Sequence, residues 1–311
     1  MRSDYSTTLA LDGVAPVETL QQAFTLFRTM EMPARNLAAF TRKAYTDDIT
    51  DALRFLAARG VTQISHLTLN YLKAFQAEMD KRGYATSTRN RKTQAIRIFC
   101  QFLHRQGLTY QNIAAELIPP AIQRPEPRFL SETEYQRLLS ACAHNLRDTA
   151  MIQLFLQTGM RLAELTRLTL DDIEIPKRIT PDPENTGIVQ IRRKGGKVAT
   201  IPLNWKACRA VAAWLQLRPI TDSPALFLSK FEKPLSTRAV EYMLSKYLKE
   251  ARIVGASVHT LRHTMATHHV ARGTDLKTVQ ETLGHASLDT TTIYVSLAKR
   301  AQRKALQEHA L

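Results

Sequence analysis

Ile118 to Leu130, IPPAIQRPEPRFL, holds four prolines, Pro119, Pro120, Pro125 and Pro127. Proline fixes φ and has no N–H to donate, so a helix cannot run through this stretch and an extended strap is expected. The strap divides the 311-residue chain in two, and each part is long enough for its own core. The expected organisation is a lead-in at 1–19, a helical domain at 20–117, a proline-rich linker at 118–128 and a second domain at 129–311. The expected fold class is mainly α with a small β-hairpin, a helical bundle followed by an α+β domain.

Charge suggests the partner. Lysine and arginine outnumber aspartate and glutamate by 43 to 28, for a net charge of +15. Both parts share the excess, with 17 basic against 11 acidic residues through Arg128 and 26 against 17 beyond it. Two basic lobes point to double-stranded DNA. No run of about 18 apolar residues occurs, so no membrane span is expected. The opening MRSDYSTTLALDG lacks the basic start and apolar stretch of a signal peptide. Cys100, Cys142 and Cys208 make neither an even disulfide set nor a metal pattern, which fits a reducing cytoplasm, and a DNA partner sets the expected place of work at the nucleoid.

In the first domain, helical periodicity marks segments at about 19–30, 37–58, 68–82 and 87–106, broken at Pro33, Gly60 and Gly83. The last segment carries Arg89, Arg91, Lys92, Arg97 and Arg105 and no acid. Ile96, Phe99, Phe102 and Leu103 fall at core spacing, Ser87 is the expected cap, and the basic side is expected to face DNA. Arg42 and Lys43 offer a second backbone contact.

In the second domain, Ser131 and Glu134 spell a capping box. A helix from about Leu146 to Thr158 leads to Gly159, where a tight turn sets Arg161 at the start of the next helix. Glu164, one turn on, either orients that guanidinium or is an ordinary surface acid. Two alternating runs, IVQIRR and KVATIPL, flank a Gly-Gly turn and predict a β-hairpin with Lys194 at its tip and Lys197 and Arg193 nearby. Pro176–Thr186 is longer than a minimal connection. Helices follow at about 204–217 and 236–251, the second offering Arg238, Lys246 and Lys249 to DNA.

His259 to Tyr294 is the stretch richest in chemistry. His259 and Arg262 lie three apart and share a helix face, while Leu261, Met265 and Ala266 fit a buried side. Gly273 stops this helix, Thr274-Asp275 caps the next, and that helix runs from about Leu276 to Leu283, ends at Gly284 and meets His285. A short segment through Asp289 to Thr292 then delivers Tyr294. A guanidinium grips two phosphate oxygens, imidazoles hold or move protons near neutral pH, and nearby cations favour a phenolate. The set suits attack of a tyrosine oxygen on a phosphodiester, with the bond energy stored in a phosphotyrosine. His259 and His263 lie four apart, yet no Glu stands between them in the zinc-protease pattern, so no metal is expected.

HTLRH, then LGH, then Tyr294 nine residues after that histidine resemble the tyrosine recombinase (phage integrase) family, most closely its short Xer-type members. The resemblance implies that Arg161, in TGMRLAELTRL, belongs to the first arginine motif and activates the phosphate with Arg262. It implies that Lys194, which takes the family lysine's place ahead of the glycine turn, protonates the departing 5′ oxygen, with Lys197 as a rival for that role and Arg193 a lesser one. His259 assists removal of the Tyr294 proton or donates to a phosphate oxygen, and His285 hydrogen-bonds the same phosphate. It further implies a core-binding bundle and catalytic domain closing on DNA as a C-shaped clamp, and a tail helix after Tyr294 that docks on a neighbouring subunit. The expected assembly is a homotetramer on two DNA sites, or a heterotetramer with a related recombinase, needing no cofactor. Rival expectations are a type IB-like topoisomerase and a non-catalytic DNA-site-binding relative.

Overall fold

The computed structural model describes residues 16–122, 127–193 and 196–284. The chain forms two compact units, divided between Arg124 and Pro125.

The first unit is helical. A Thr19–Gln22 capping box starts α1 (Leu20–Leu26), which passes through one π turn (Phe27–Glu31) into the short α2 (Met32–Ala34). Pro33 therefore does not break this helix. The wider turn before it, closed by the Met32 N–H on the Phe27 carbonyl, accommodates a residue that has no N–H to donate. The chain turns instead at Asn36, whose φ is +49°. Then come α3 (Ala39–Ala57), α4 (Leu69–Lys81) and α5 (Thr86–Arg105). Ser87 is not the cap expected of it, because α5 begins one residue earlier and Ala85 holds the cap position. Phe24 and Phe27 meet Phe99 edge-on at centroid distances of 5.9 and 5.5 Å, and Phe27 meets Phe102 at 5.3 Å. Such pairs add about 0.5–1.5 kcal/mol beyond their buried area.

The second unit is built around α7. α6 (Glu132–Cys142) starts on the Ser131–Glu134 capping box, and α7 (Leu146–Thr158) starts on Asn145. Ala150, Met151, Ile152, Leu154 and Phe155 of α7 are buried on successive faces, which marks a helix surrounded by protein. α9 (Trp205–Leu217) and α11 (Val258–Ala271) pack against it. Beside it lies a three-stranded antiparallel sheet, β1 (Ile173–Glu174), β2 (Gly187–Arg192) and β3 (Val198–Leu203), with Val189 opposite Ile201. Val189 and Ile191 point into the core while Gln190 points out, the period of two that the sequence shows. α8 (Leu162–Leu165), α10 (Thr237–Glu250) and α12 (Leu276–Leu283) complete the unit.

Two buried polar side chains tie elements of this unit together. The Tyr247 hydroxyl donates to Asp148 at 2.9 Å, and burial together with that carboxylate pushes its pKa up. Thr264 on α11 accepts from the Leu130 N–H at 2.8 Å, tying the start of the unit to the helix that carries His259 and Arg262.

Candidate active site

Gly159 ends α7 with φ +60°, and a Cβ there would lie 2.7 Å from the side chains of Leu283 and Met265. Glycine is needed for both reasons. The tight turn it allows sets Arg161 at the N-cap of α8. Glu164 takes the orienting role: it accepts from the Arg161 N–H at 2.7 Å and from Nη1 at 2.9 Å. The other end of that guanidinium, Nη2, reaches the Gly284 carbonyl at 3.4 Å.

Arg262 comes from α11 and is 6% exposed. Its Nη1 donates to the Gly159 carbonyl at 2.5 Å and its Nη2 to the Leu283 carbonyl at 2.7 Å. Gly159 closes α7 and Leu283 is the last residue of α12, so one guanidinium joins the carbonyl ends of two helices. Helix C-termini carry partial negative charge and unsatisfied carbonyls, which makes them good seats for a buried cation. Arg161 and Arg262 thus rest on the successive carbonyls of Gly284 and Leu283. Both line a cavity of about 280 Å³ with the exposed His259, Glu241 and Ser245. His263, one turn from His259, has its pKa lowered by burial first, then by the nearby His259 and Arg262. Leu261, Met265 and Ala266 are buried, as their spacing predicts.

Asp275 caps α12 by accepting from the Thr278 N–H at 3.1 Å, and Gly284 closes it at φ +64°. His285, the segment through Asp289 to Thr292, Tyr294, the tail helix and Lys194 lie outside the described residues. Of the cations near the hairpin tip, Lys197 is exposed, whereas Arg193 is half-buried against α12. Arg193 is the residue whose part in the site the sequence left open, because its partners are main-chain carbonyls, which no side-chain pattern announces.

Among the residues expected to meet DNA, Arg238 and Lys246 are exposed on α10. Tyr242, 78% exposed, lies between them at helical spacing, so the three side chains share one face of α10. Lys43 is exposed, Arg97 is half-buried, and Arg42 spends its Nε on the Leu37 carbonyl at 2.7 Å. Lys92 does not face solvent. It is 8% exposed, with Nζ 3.3 Å from Asp48 and 3.0 Å from Asp51, so α3 supplies the acids that α5 lacks. Arg91 pairs with Asp48, and Arg89 with Asp80.

Comparison with known proteins agrees with this geometry. Residues 128–301 match the phage integrase family and residues 27–107 the phage integrase N-terminal SAM-like domain. The tyrosine recombinase XerC of Pseudomonas syringae pv. syringae (strain B728a) is 32% identical over 271 residues, 85% of this chain and 87% of that one. The fold is similar to the XerH site-specific recombinase bound to palindromic difH substrate in a post-cleavage complex (TM-score 0.72, 20% identity, 92% of this chain and 83% of that one). It is also similar to a lambda integrase tetramer bound to a Holliday junction (TM-score 0.70, 17% identity, 86% and 75%). The chain belongs to the phage integrase family. It is a site-specific tyrosine recombinase that cuts and rejoins DNA strands, and the topoisomerase reading is set aside. Among the described residues, no helix is long and apolar enough to cross a membrane.

Proposed function

We propose that Arg161 and Arg262 grip the two non-bridging oxygens of one scissile phosphate while Tyr294 attacks it. The Tyr294 oxygen forms a bond to phosphorus and the P–O5′ bond breaks. The DNA is left with a 3′-phosphotyrosine and a free 5′ hydroxyl. His259 takes the phenol proton or donates to a phosphate oxygen, His285 hydrogen-bonds the same phosphate, and Lys194 supplies the proton that the departing 5′ oxygen needs. A 5′ hydroxyl from a partner strand reverses the step on the new strand. The two guanidiniums offset charge as it builds in the transition state.

The observation that carries this reading is the meeting of Arg161, His259 and Arg262 around one cavity. Arg91, Arg97, Arg42 and Lys43 in the first unit, with Arg238, Lys246 and Tyr242 in the second, hold the duplex backbone. Arg89, held by Asp80, and Lys92, held by Asp48 and Asp51, are not assigned to the duplex. Four subunits act on two DNA sites in the cytoplasm, all of this chain or shared with a related recombinase. The DNA substrate belongs either to a circular replicon resolved from dimers or to a mobile element that integrates and excises.

Nicked duplexes made from the host genome, incubated with the protein, trap the covalent adduct because the short 5′ piece diffuses away. Sequencing the trapped DNA yields one recurring site for the wild-type chain. Tyr294→Phe keeps DNA binding and forms no adduct. An adduct that survives in the phenylalanine variant refutes the nucleophile assignment.

A further inference from the structure

Arg193 leaves the end of β2 and folds back on the hairpin turn, its N–H donating to the Lys197 carbonyl at 2.8 Å. Its side chain crosses to another element. Nη1 donates to the Glu281 carbonyl at 2.8 Å and Nη2 to the Thr282 carbonyl. With Arg262 on Leu283 and Arg161 on Gly284, three guanidiniums cover four successive carbonyls at the end of α12. Arg193 is the one of the three that comes from the hairpin.

Stability alone is a poor reason for this contact. The Arg193 Nε is buried and, among the described residues, has no partner, and a donor left unmet in the interior is costly. Burial, aided by the Arg161 charge, holds the guanidinium pKa below its ordinary value. The contact also demands glycine opposite. A Cβ on Gly284 would lie 2.7 Å from Cζ and 2.9 Å from Cδ of Arg193. Residue 193 is joined by one peptide bond to Lys194, and residue 284 by one to His285.

We propose that Arg193 is a positioning residue, a clasp that fixes the base of the β2–β3 turn to the C-terminal end of α12 and so sets where the proton donor next to it stands. The proposal deepens the recombinase reading and rests on its assignment of Lys194. The clasp itself involves only Arg193, Glu281, Thr282 and Gly284. No contact with a reacting atom is assigned to Arg193; its two Nη atoms donate to protein carbonyls.

Two measurements on the full chain test it. In the first, amide hydrogen exchange is followed without DNA in the wild type and in Arg193→Met, which keeps the stem and removes the donors. The clasp predicts faster exchange in 196–198 and in 280–284 together, with 150–158 unchanged. Unchanged exchange in either segment overturns the clasp, and this result is readable whether or not the recombinase reading stands. In the second, single-turnover cleavage is measured on the trapped site with oxygen or with sulfur as the bridging 5′ atom. A thiolate leaves without a proton, since thiols ionise near a pKa of about 8.5. Arg193→Met is expected to slow cleavage of the oxygen substrate about tenfold to a hundredfold with binding unchanged, and to recover most of that loss on sulfur. Arg193→Lys, which keeps the charge but offers one donor nitrogen in place of the two Nη atoms, falls between. Equal losses on the two substrates, or no loss, overturn the positioning role. A wild-type chain that forms no adduct on either substrate counts against the recombinase mechanism instead.

Discussion

The cations of the two units are balanced in different ways. On α5 the neighbours answer charge with charge: Asp48 and Asp51 of α3 hold Lys92, Asp48 also holds Arg91, and Asp80 of α4 holds Arg89. Around the cavity the partners are mostly neutral. Arg262 lies on two helix-end carbonyls and Arg193 on two more, while Arg161 pairs with Glu164. A carboxylate cancels a cation, whereas a carbonyl dipole satisfies its N–H groups and leaves the charge standing. The first arrangement builds a bundle. The second keeps positive potential for an anion that arrives later, where a low local dielectric strengthens it.

Removing a cation from each region separates the two cases. Arg262→Ala takes away a phosphate grip and orphans the carbonyls of Gly159 and Leu283. Single-turnover cleavage should fall about a thousandfold, on the scale of lost transition-state donors, and a denaturant melt should show a loss of about 2–3 kcal/mol.

In the bundle the larger effect is on stability. Asp48→Ala leaves Lys92 buried beside Asp51 alone and should cost about 3 kcal/mol in the same melt, the range for a broken buried pair. Lys92→Met, by contrast, should leave the slope of log affinity against log salt unchanged, whereas Lys43→Ala lowers it by about 0.9, one phosphate contact. A slope change with Lys92→Met would place that ammonium on DNA and erase the distinction between the regions.

The smallest effect reads the standing potential directly. His263 is held below its ordinary pKa by burial and by the positive charge of His259 and Arg262. Its unfolded form takes up a proton first, so its contribution to stability is present above about pH 6.5 and is lost as the pH falls toward the depressed folded value. In Arg262→Met, NMR titration should find the His263 pKa raised but still low, because burial is the larger cause. An unchanged value would mean that the guanidinium charge is not felt in the cavity.

What the sequence disclosed follows the same division. The start of α6 and the bounds of α7 and α12 are readable because their signals are local: Ser131 with Glu134, and the glycines Gly159 and Gly284 at positive φ. The His259–Arg262 face is likewise a matter of spacing within one helix. Lys92 was misread because its acids lie more than forty positions upstream on another helix. Pro33 was misread because a π turn accommodates it, and nothing in the letters marks a π turn. The Arg193 clasp joins main-chain carbonyls 88 and 89 positions away, a partner type that every residue offers.

The central claim is that the cavity keeps its charge to meet that of a single phosphate, and Arg161 offers the cleanest test because it is only partly buried and its loss leaves the core intact. Cleavage by Arg161→Ala is compared on the trapped site with an ordinary scissile phosphate and with a methylphosphonate there, which has one non-bridging oxygen replaced by methyl and carries no charge. The account predicts a large loss on the phosphate and a much smaller one on the methylphosphonate, each relative to the wild type on the same DNA. Equal losses on the two substrates would contradict it.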